Sequence, residues 1–405
     1  MAGRLLRVEH KHVAGIVGPM RRLLLLVCAI VLVDTMLYAA LVPLLHDYQE
    51  EFDLSKTGAG ILIASYPLGA LLAALPGGLA AAKLGPKATV LGGLGLLSLA
   101  SLGFAGADSE WTIGLARFLQ GVGSAFSWAG GLAWLVAGTR RDRRGEMLGT
   151  AVGSAVFGAL LGPALGAATE VTGPGPAFAA VAVLGVVLMA WAWRAPDAPP
   201  QPQRLRVLVG ALPDPLVLGA VWLMVLPSLL FGVLAVLVPL ALGDAGWGRV
   251  EIGGVFVGSA AAEVVFIPLV GRLSDRRGRL LPIRLALASS IAVTVALALA
   301  DLPAAIVPLV VLAAVAFGAF WAPALAILSD AAERLGIAQG LAFGLMNVAW
   351  GLGAGAGPSV GGALADTAGN SLPYVVMAGV CLTTLLAVRS RWRVGTRQVR
   401  VPDTP

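Results

Sequence analysis

The chain has 405 residues, 58% hydrophobic and only 12% charged, with a mean hydropathy of +0.88. A soluble domain is about 25% charged, so this chain cannot cover the surface of a soluble protein of its size. The formal charge of +6 is scattered over short loops rather than gathered on one domain. That excludes a basic nucleic-acid-binding domain and reads as membrane topology.

A bilayer core about 30 Å thick needs roughly 20 apolar residues in helix. Twelve such segments are predicted: Leu23–Leu45, Thr57–Ala81, Ala88–Ala105, Trp111–Ala137, Met147–Thr169, Pro176–Trp193, Leu216–Leu242, Val250–Val270, Leu280–Ala300, Pro303–Leu328, Gln339–Ala365 and Leu372–Val388. Their internal Gly and Pro are compatible with membrane helices, which use small residues for close packing. The first segment follows Arg21 and Arg22 but holds Asp34 and outruns the apolar core of a cleaved signal, so it is read as a retained span. Cys28 and Cys381 both lie in apolar runs and read as core residues rather than a disulfide. The three histidines, at positions 10, 12 and 46, make no metal-ligand cluster.

Of the 28 Lys and Arg, 25 fall on the side of the two termini and the even-numbered loops. Lys56 and Arg249 lie on the opposite side, and Arg117 lies within the fourth segment. The positive-inside rule then places both termini in the cytoplasm. The stretch 194–213 contains APDAPPQPQ, which cannot join a helix. It is expected to be a cytoplasmic linker between a six-helix bundle at 1–193 and another at 214–388, followed by a basic tail at 389–405. Arg outnumbers Lys 24 to 4 and the loops are short, which points to a prokaryotic plasma membrane.

Between the eighth and ninth segments stands Gly271–Arg279, GRLSDRRGR, with five charges in nine residues; it is expected to be a short loop. The pattern resembles the loop signature of the major facilitator superfamily of secondary transporters. A degraded copy lies 193 positions earlier at Gly78–Lys87, with Ala82 where the signature has Asp and Pro86 where it has Arg. The candidate gating residues here are Gly78, Lys83 and Gly85, and Gly271, Asp275, Arg276, Gly278 and Arg279. In the fifth segment Gly158, Gly162, Pro163 and Gly166 resemble GxxxGPxxGG, the motif of the antiporter branches, with Ala167 in place of the last Gly. Gly353, Gly357, Pro358 and Gly361 repeat it 195 positions on. Gly123 and Gly149 likewise match Gly318 and Gly344. Arg117, Gln120, Gly121 and Gly123 resemble the family's R-x-x-Q-G-x-G motif, implicated in proton movement. The resemblance implies an all-α fold of twelve transmembrane helices in two pseudo-symmetric six-helix bundles, with a midplane substrate site and alternating access.

Asp34, Arg117 and Glu263 are the ionisable residues inside apolar segments. A charge at the bilayer centre costs at least about 2.5–3.5 kcal/mol, so each needs a partner, a water cavity or a proton. Asp34 is twelve residues past Arg22, about 18 Å along a helix, which is mid-bilayer. Glu263 is thirteen residues past Val250 and reaches a similar depth from the other side. Each acid reads as a proton or cation site, or as a structural partner of Arg117 or a backbone group. Trp128, Trp134, Trp321 and Trp350 are candidates for an aromatic pocket around an organic cation.

The run from Asp34 to Pro43 resembles the first helix of drug/proton antiporters and vesicular monoamine transporters. Asn347 and Ala235 stand where monoamine transporters carry acids, so a monoamine substrate does not transfer. The expectation is proton-coupled efflux of small amphipathic or cationic organic compounds, with Asp34, Arg117, Gln120, Glu263 and Asn347 on the path. The driving force would be the proton gradient, with no cofactor, metal or nucleic acid, in a monomer of the plasma membrane. The alternative is an importer, symporter or uniporter for a sugar or organic acid, although an anion would favour more midplane cations than Arg117. An embedded enzyme or sensor is disfavoured, because the sequence shows no nucleophile–base pair, phosphate loop or output domain.

Overall fold

The computed structural model describes residues 2–139, 144–200, 210, 212–336 and 339–395. Among them every regular element is helical: α1 (Ala2–Ala39), a 3-10 turn (Val42–Leu44), α2 (Leu45–Glu51), α3 (Lys56–Lys83), α4 (Pro86–Ala105), α5 (Glu110–Gly138), α6 (Arg144–Thr172), α7 (Pro174–Arg194), α8 (Pro215–Asp244), α9 (Arg249–Arg277), α10 (Leu280–Ala298), α11 (Pro303–Gly318), α12 (Trp321–Arg334), α13 (Gln339–Ala368) and α14 (Ser371–Gly395). The twelve expected spans are all present, the first as α1 with α2 and the tenth as α11 with α12. Both interruptions follow from proline, whose ring clashes with the carbonyl four residues back. Pro43 ends α1 at Ala39, and Pro323 breaks the tenth span at Ala319. Ten spans are apolar enough to cross a bilayer by length and hydropathy alone; α5 and α13 are not among them. Gly, Ser and Trp dilute their hydropathy, yet both are enclosed helices, α5 packed on α3 and α4, and α13 on α3 and α8.

The charged segment expected as a loop is mostly helix, because α9 runs on through Arg277. Arg276 and Arg277 occupy its last turn, where positive charge complements the helix dipole. The turn is made at Gly278, with φ 81°, and at Gly85, with φ 93°, in the first copy. These left-handed conformations favour glycine. Pro86 opens α4, a position where its missing N–H costs nothing. The side chain of Asp275, linker residues 201–209 and 211, and tail residues 396–405 lie outside the described residues.

Contacts between the first six and last six spans gather toward the face opposite the termini. There α3 lies along α13, and α6 along α9. A Cβ added at Gly253 on α9 would sit 2.9 Å from the Pro163 carbonyl oxygen on α6. Gly60 on α3 meets the Pro358 carbonyl on α13 in the equivalent way. The α3–α13 contact continues to Leu71 and Gly351, near the middle of both helices. Toward the termini, Gly78, Gly149, Gly153, Gly271 and Gly344 have no described neighbour within 4 Å of where a Cβ would be.

Candidate functional site

The site begins with the glycine rows of α6. Added Cβ atoms would lie 3.0 Å from Thr35 Cβ at Gly158, 2.7 Å from the Met36 carbonyl oxygen at Gly162, and 2.9 Å from Pro43 at Gly166. Only glycine admits α1 this close, so the row fixes the height and rotation of the helix that carries Asp34. The second row repeats the arrangement: Gly353 lies against Ser228, Gly357 against Leu229 and Gly361 against Val233, all on α8. Thus the motif glycines pack each helix within its own half, while Pro163 and Pro358 present carbonyls to the other half. A second close crossing brings α5 to α3, because a Cβ at Gly121 would sit 2.9 Å from the Ala70 nitrogen. That crossing delivers Tyr66 to the site.

Asp34 is 4% exposed and is held by three neutral donors. The Tyr66 hydroxyl donates to Oδ1 at 2.8 Å. The Ser124 hydroxyl at 2.8 Å and Trp128 Nε1 at 2.7 Å donate to Oδ2. Arg117, 1% exposed, is held by other groups. Its Nη1 donates to the Leu37 carbonyl at 2.9 Å and to Gln120 Oε1 at 3.0 Å, and its Nη2 to the Tyr38 carbonyl at 2.8 Å. Gln120 in turn donates to Ser101 at 3.2 Å. The guanidinium lies 4.7 Å from the centre of the Tyr66 ring. Its Nε is buried and has no hydrogen-bond partner among the described residues.

Asp34 and Arg117 therefore do not form the direct pair weighed from the sequence; Tyr66 links them, its hydroxyl on the acid and its ring on the cation. Fixing the guanidinium on the carbonyls of residues 37 and 38 locks it to the last turn of α1, just beyond Asp34. Tyr38 contacts both Tyr66, at 5.4 Å between ring centres, and Trp350 of α13, at 5.1 Å. The aromatic cluster thus reaches the last six spans.

Glu263 is half-buried on α9 and has no hydrogen bond or ion pair among the described residues. Its carboxylate lies against Gly318, where an added Cβ would sit 2.5 Å from Oε1. Asn347 is half-buried on α13 and likewise makes no hydrogen bond to a described residue. Trp134 does not join the site: it is 1% exposed and its Nε1 donates to the Pro196 carbonyl at 3.1 Å, securing the end of α7. Trp321 opens α12 and packs on the apolar core. Lys83 ends α3, and Arg279 reaches Asp330 at 3.8 Å and Ser274 at 3.3 Å.

Sequence reasoning missed Tyr66, Tyr38 and Ser124. One signal was available: Arg117, Gln120, Ser124 and Trp128 are spaced 3, 4 and 4 residues apart, which puts them on one face of α5. Tyr66 gives no such signal, being on another helix 32 residues from Asp34.

The model of the Major Facilitator Superfamily matches residues 24–341 and 221–404, and the chain belongs to this family of transporters. Among curated proteins it is 33% identical over 141 residues to "Probable vesicular acetylcholine transporter-B" of Danio rerio, covering 33% of this chain and 29% of that protein. It is 31% identical over 122 residues to "MFS-type transporter ppzB" of Metarhizium rileyi (strain RCEF 4871), covering 29% of this chain and 25% of that protein. The aligned stretches thus span under a third of each curated relative. Among solved structures, a bacterial homolog of the human lysosomal transporter Spinster, crystallised inward-facing and unoccupied, superposes with a TM-score of 0.75 at 14% identity. The superposition covers 93% of this chain and 98% of that one. A D-xylose–proton symporter gives 0.70 at 16%, covering 92% and 97%. At these identities the solved structures show the shared twelve-helix fold.

Proposed function

We propose that the protein is a proton-coupled exporter of small cationic or amphipathic organic compounds, working by alternating access from the plasma membrane with both termini cytoplasmic. The observation that carries this reading is Asp34, an acid buried at mid-span among three neutral donors and next to an arginine it does not contact directly. Burial and neutral donors let such a carboxylate exist with or without a proton, and the aromatic faces of Tyr66, Trp128 and Tyr38 suit an organic cation that replaces it. Glu263, against Gly318, is the second acid of the path. Arg117 ties the last turn of α1 to α5, and Tyr38 on that same turn reaches Trp350 of α13, so a movement of α1 at Asp34 is felt in both halves.

The basic residues on the termini side support a cytoplasmic placement there. With that orientation, the close contacts on the opposite face correspond to an inward-facing state, the state of the Spinster homolog. The partial likeness to a vesicular acetylcholine transporter supports an organic cation, and the xylose symporter keeps uptake as the rival direction.

The test is reconstitution in liposomes with an internal pH dye and an imposed proton gradient, with cationic, neutral and anionic compounds added singly. Proton movement dependent on a cationic compound and opposite in direction to it supports the proposal. Proton movement in the same direction as a sugar or organic acid establishes a symporter and overturns it.

A further inference from the structure

Lys56 and Arg249 are the basic residues that break the charge rule, and they are equivalent, 193 positions apart. Each is the first residue of its helix, α3 or α9, on the face opposite the termini. A cation there is doubly misplaced, on the wrong side of the membrane and at the positive end of a helix dipole. The same compensation appears at both places, and it comes from the other half of the molecule.

On α3, the backbone N–H groups of Lys56 and Thr57 donate to Asp366, at 3.0 Å to Oδ1 and 2.8 Å to Oδ2, and the Thr57 hydroxyl adds a bond of 2.6 Å to Oδ2. Asp366 lies at the end of α13. Lys56 Nζ donates to Asn370 at 2.6 Å, also in the last six spans. The helix's own cap, Ser55, accepts from the Gly58 N–H, and its side chain is also hydrogen-bonded to Asp366. On α9, the Val250 N–H donates to Glu170 Oε2 at 3.0 Å, and Glu170 lies at the end of α6. Arg249 donates to the Thr169 carbonyl and hydroxyl at 3.2 Å each and pairs with Asp47. Asp366 and Glu170 are 196 positions apart, so the two arrangements are related by the internal repeat.

We propose that Asp366 and Glu170 are paired latches on the face opposite the termini, each closing it by capping the first turn of a helix in the other half. The first N–H groups of a helix have no partner within it, so a carboxylate from across the interface supplies what the helix lacks. When the halves part, those exposed N–H groups find water instead, which makes the closure reversible. Asp366 and Glu170 are positioning residues for the transport cycle: they set how often this face opens without touching the Asp34 site. The inference rests on alternating access but not on the direction or coupling of transport.

The test uses full-length protein with Cys28→Ala, Cys381→Ala and a reporter, Ser359→Cys, which lies on α13 where it faces Gly60 of α3. A membrane-impermeant maleimide is applied from the face opposite the termini. Asp366→Asn and Glu170→Gln are each expected to speed labelling about tenfold, the scale of losing charge-assisted hydrogen bonds. Glu51→Gln, at an exposed carboxylate, is expected to leave the rate unchanged. Labelling at the parental rate in both latch variants, with melting temperature preserved, overturns the proposal. A second variant, Thr57→Cys/Asp366→Cys, should stop transport on oxidation and regain it on reduction. Continued transport by the cross-linked protein also overturns it. The labelling assay reads the latch even if the proton coupling proposed above fails.

Discussion

Gly162→Ala adds one methyl group where α6 crosses α1, and Gly149→Ala adds the same group thirteen residues earlier on the same helix. At Gly162 the new Cβ would lie 2.7 Å from the Met36 carbonyl oxygen and 3.0 Å from the Ala39 carbonyl carbon. These are backbone atoms, so no side-chain rotation relieves the clash and α1 itself must move. Forcing extra volume into a packed contact typically costs 1–3 kcal/mol, and about 2 kcal/mol is expected here. Because Met36 is two residues from Asp34, the displacement also disturbs the three hydrogen bonds on that carboxylate. At Gly149 no described residue lies within 4 Å, so alanine is neutral or gains up to about 1 kcal/mol of helix propensity. Thermal unfolding in detergent and initial transport rates in liposomes read both effects. Gly162→Ala should melt lower and transport slowly, while Gly149→Ala melts at or slightly above the parent and transports at its rate. Equal behaviour of the two variants would refute the claim that the α6 row sets the position of α1.

Tyr66→Phe removes the hydroxyl from Asp34 but keeps the ring beside Arg117, so transport should fall about tenfold with little change in melting temperature. Tyr66→Ala, which also removes the ring, should lower both. Arg117→Lys should lose nearly as much transport as Arg117→Ala, since one ammonium cannot reproduce the fork that holds the Leu37 and Tyr38 carbonyls and Gln120 together. Asp214 caps α8 near the termini: slight burial raises its proton affinity, but the Leu216 and Val217 N–H groups and Arg334 outweigh this and hold it below the ordinary aspartate value of 3.8. A depressed acid contributes stability above its unfolded-state value and loses it as pH falls through the folded one. Asp214→Ala should therefore melt lower than the parent at neutral pH, and the gap should close below about pH 4.

The twelve spans were legible because a lipid environment demands long apolar helices, which leave an unbroken signal in composition. The internal repeat was legible because close helix crossings demand glycine at fixed spacing, as at Gly158, Gly162 and Gly166 and their copies. The end of α9 was not, since GRLSDRR is dense in charge and yet its arginines stabilise a helix terminus that extends beyond the apolar stretch. Asp34 and Arg117 stood out because an ionisable group in an apolar run is costly, but what each one touches depends on how α1, α3 and α5 cross. Tyr66 joins them through such a crossing and carries no mark in its own stretch of sequence. Trp134 shows the reverse: an aromatic residue on the same helix as Trp128 serves the α7 terminus instead. Lys56 and Arg249 entered the sequence reading as exceptions to a charge rule, and the contacts between the halves give them a place.

The most direct test of the account is accumulation of an organic cation by liposomes holding the parent or Asp34→Asn, driven by an imposed proton gradient, with substrate counterflow measured in the absence of any gradient. The parent should accumulate the cation against its own gradient, and Asp34→Asn should not while keeping its melting temperature. Gradient-driven accumulation by Asp34→Asn at the parental rate would contradict it and remove Asp34 from the proton path.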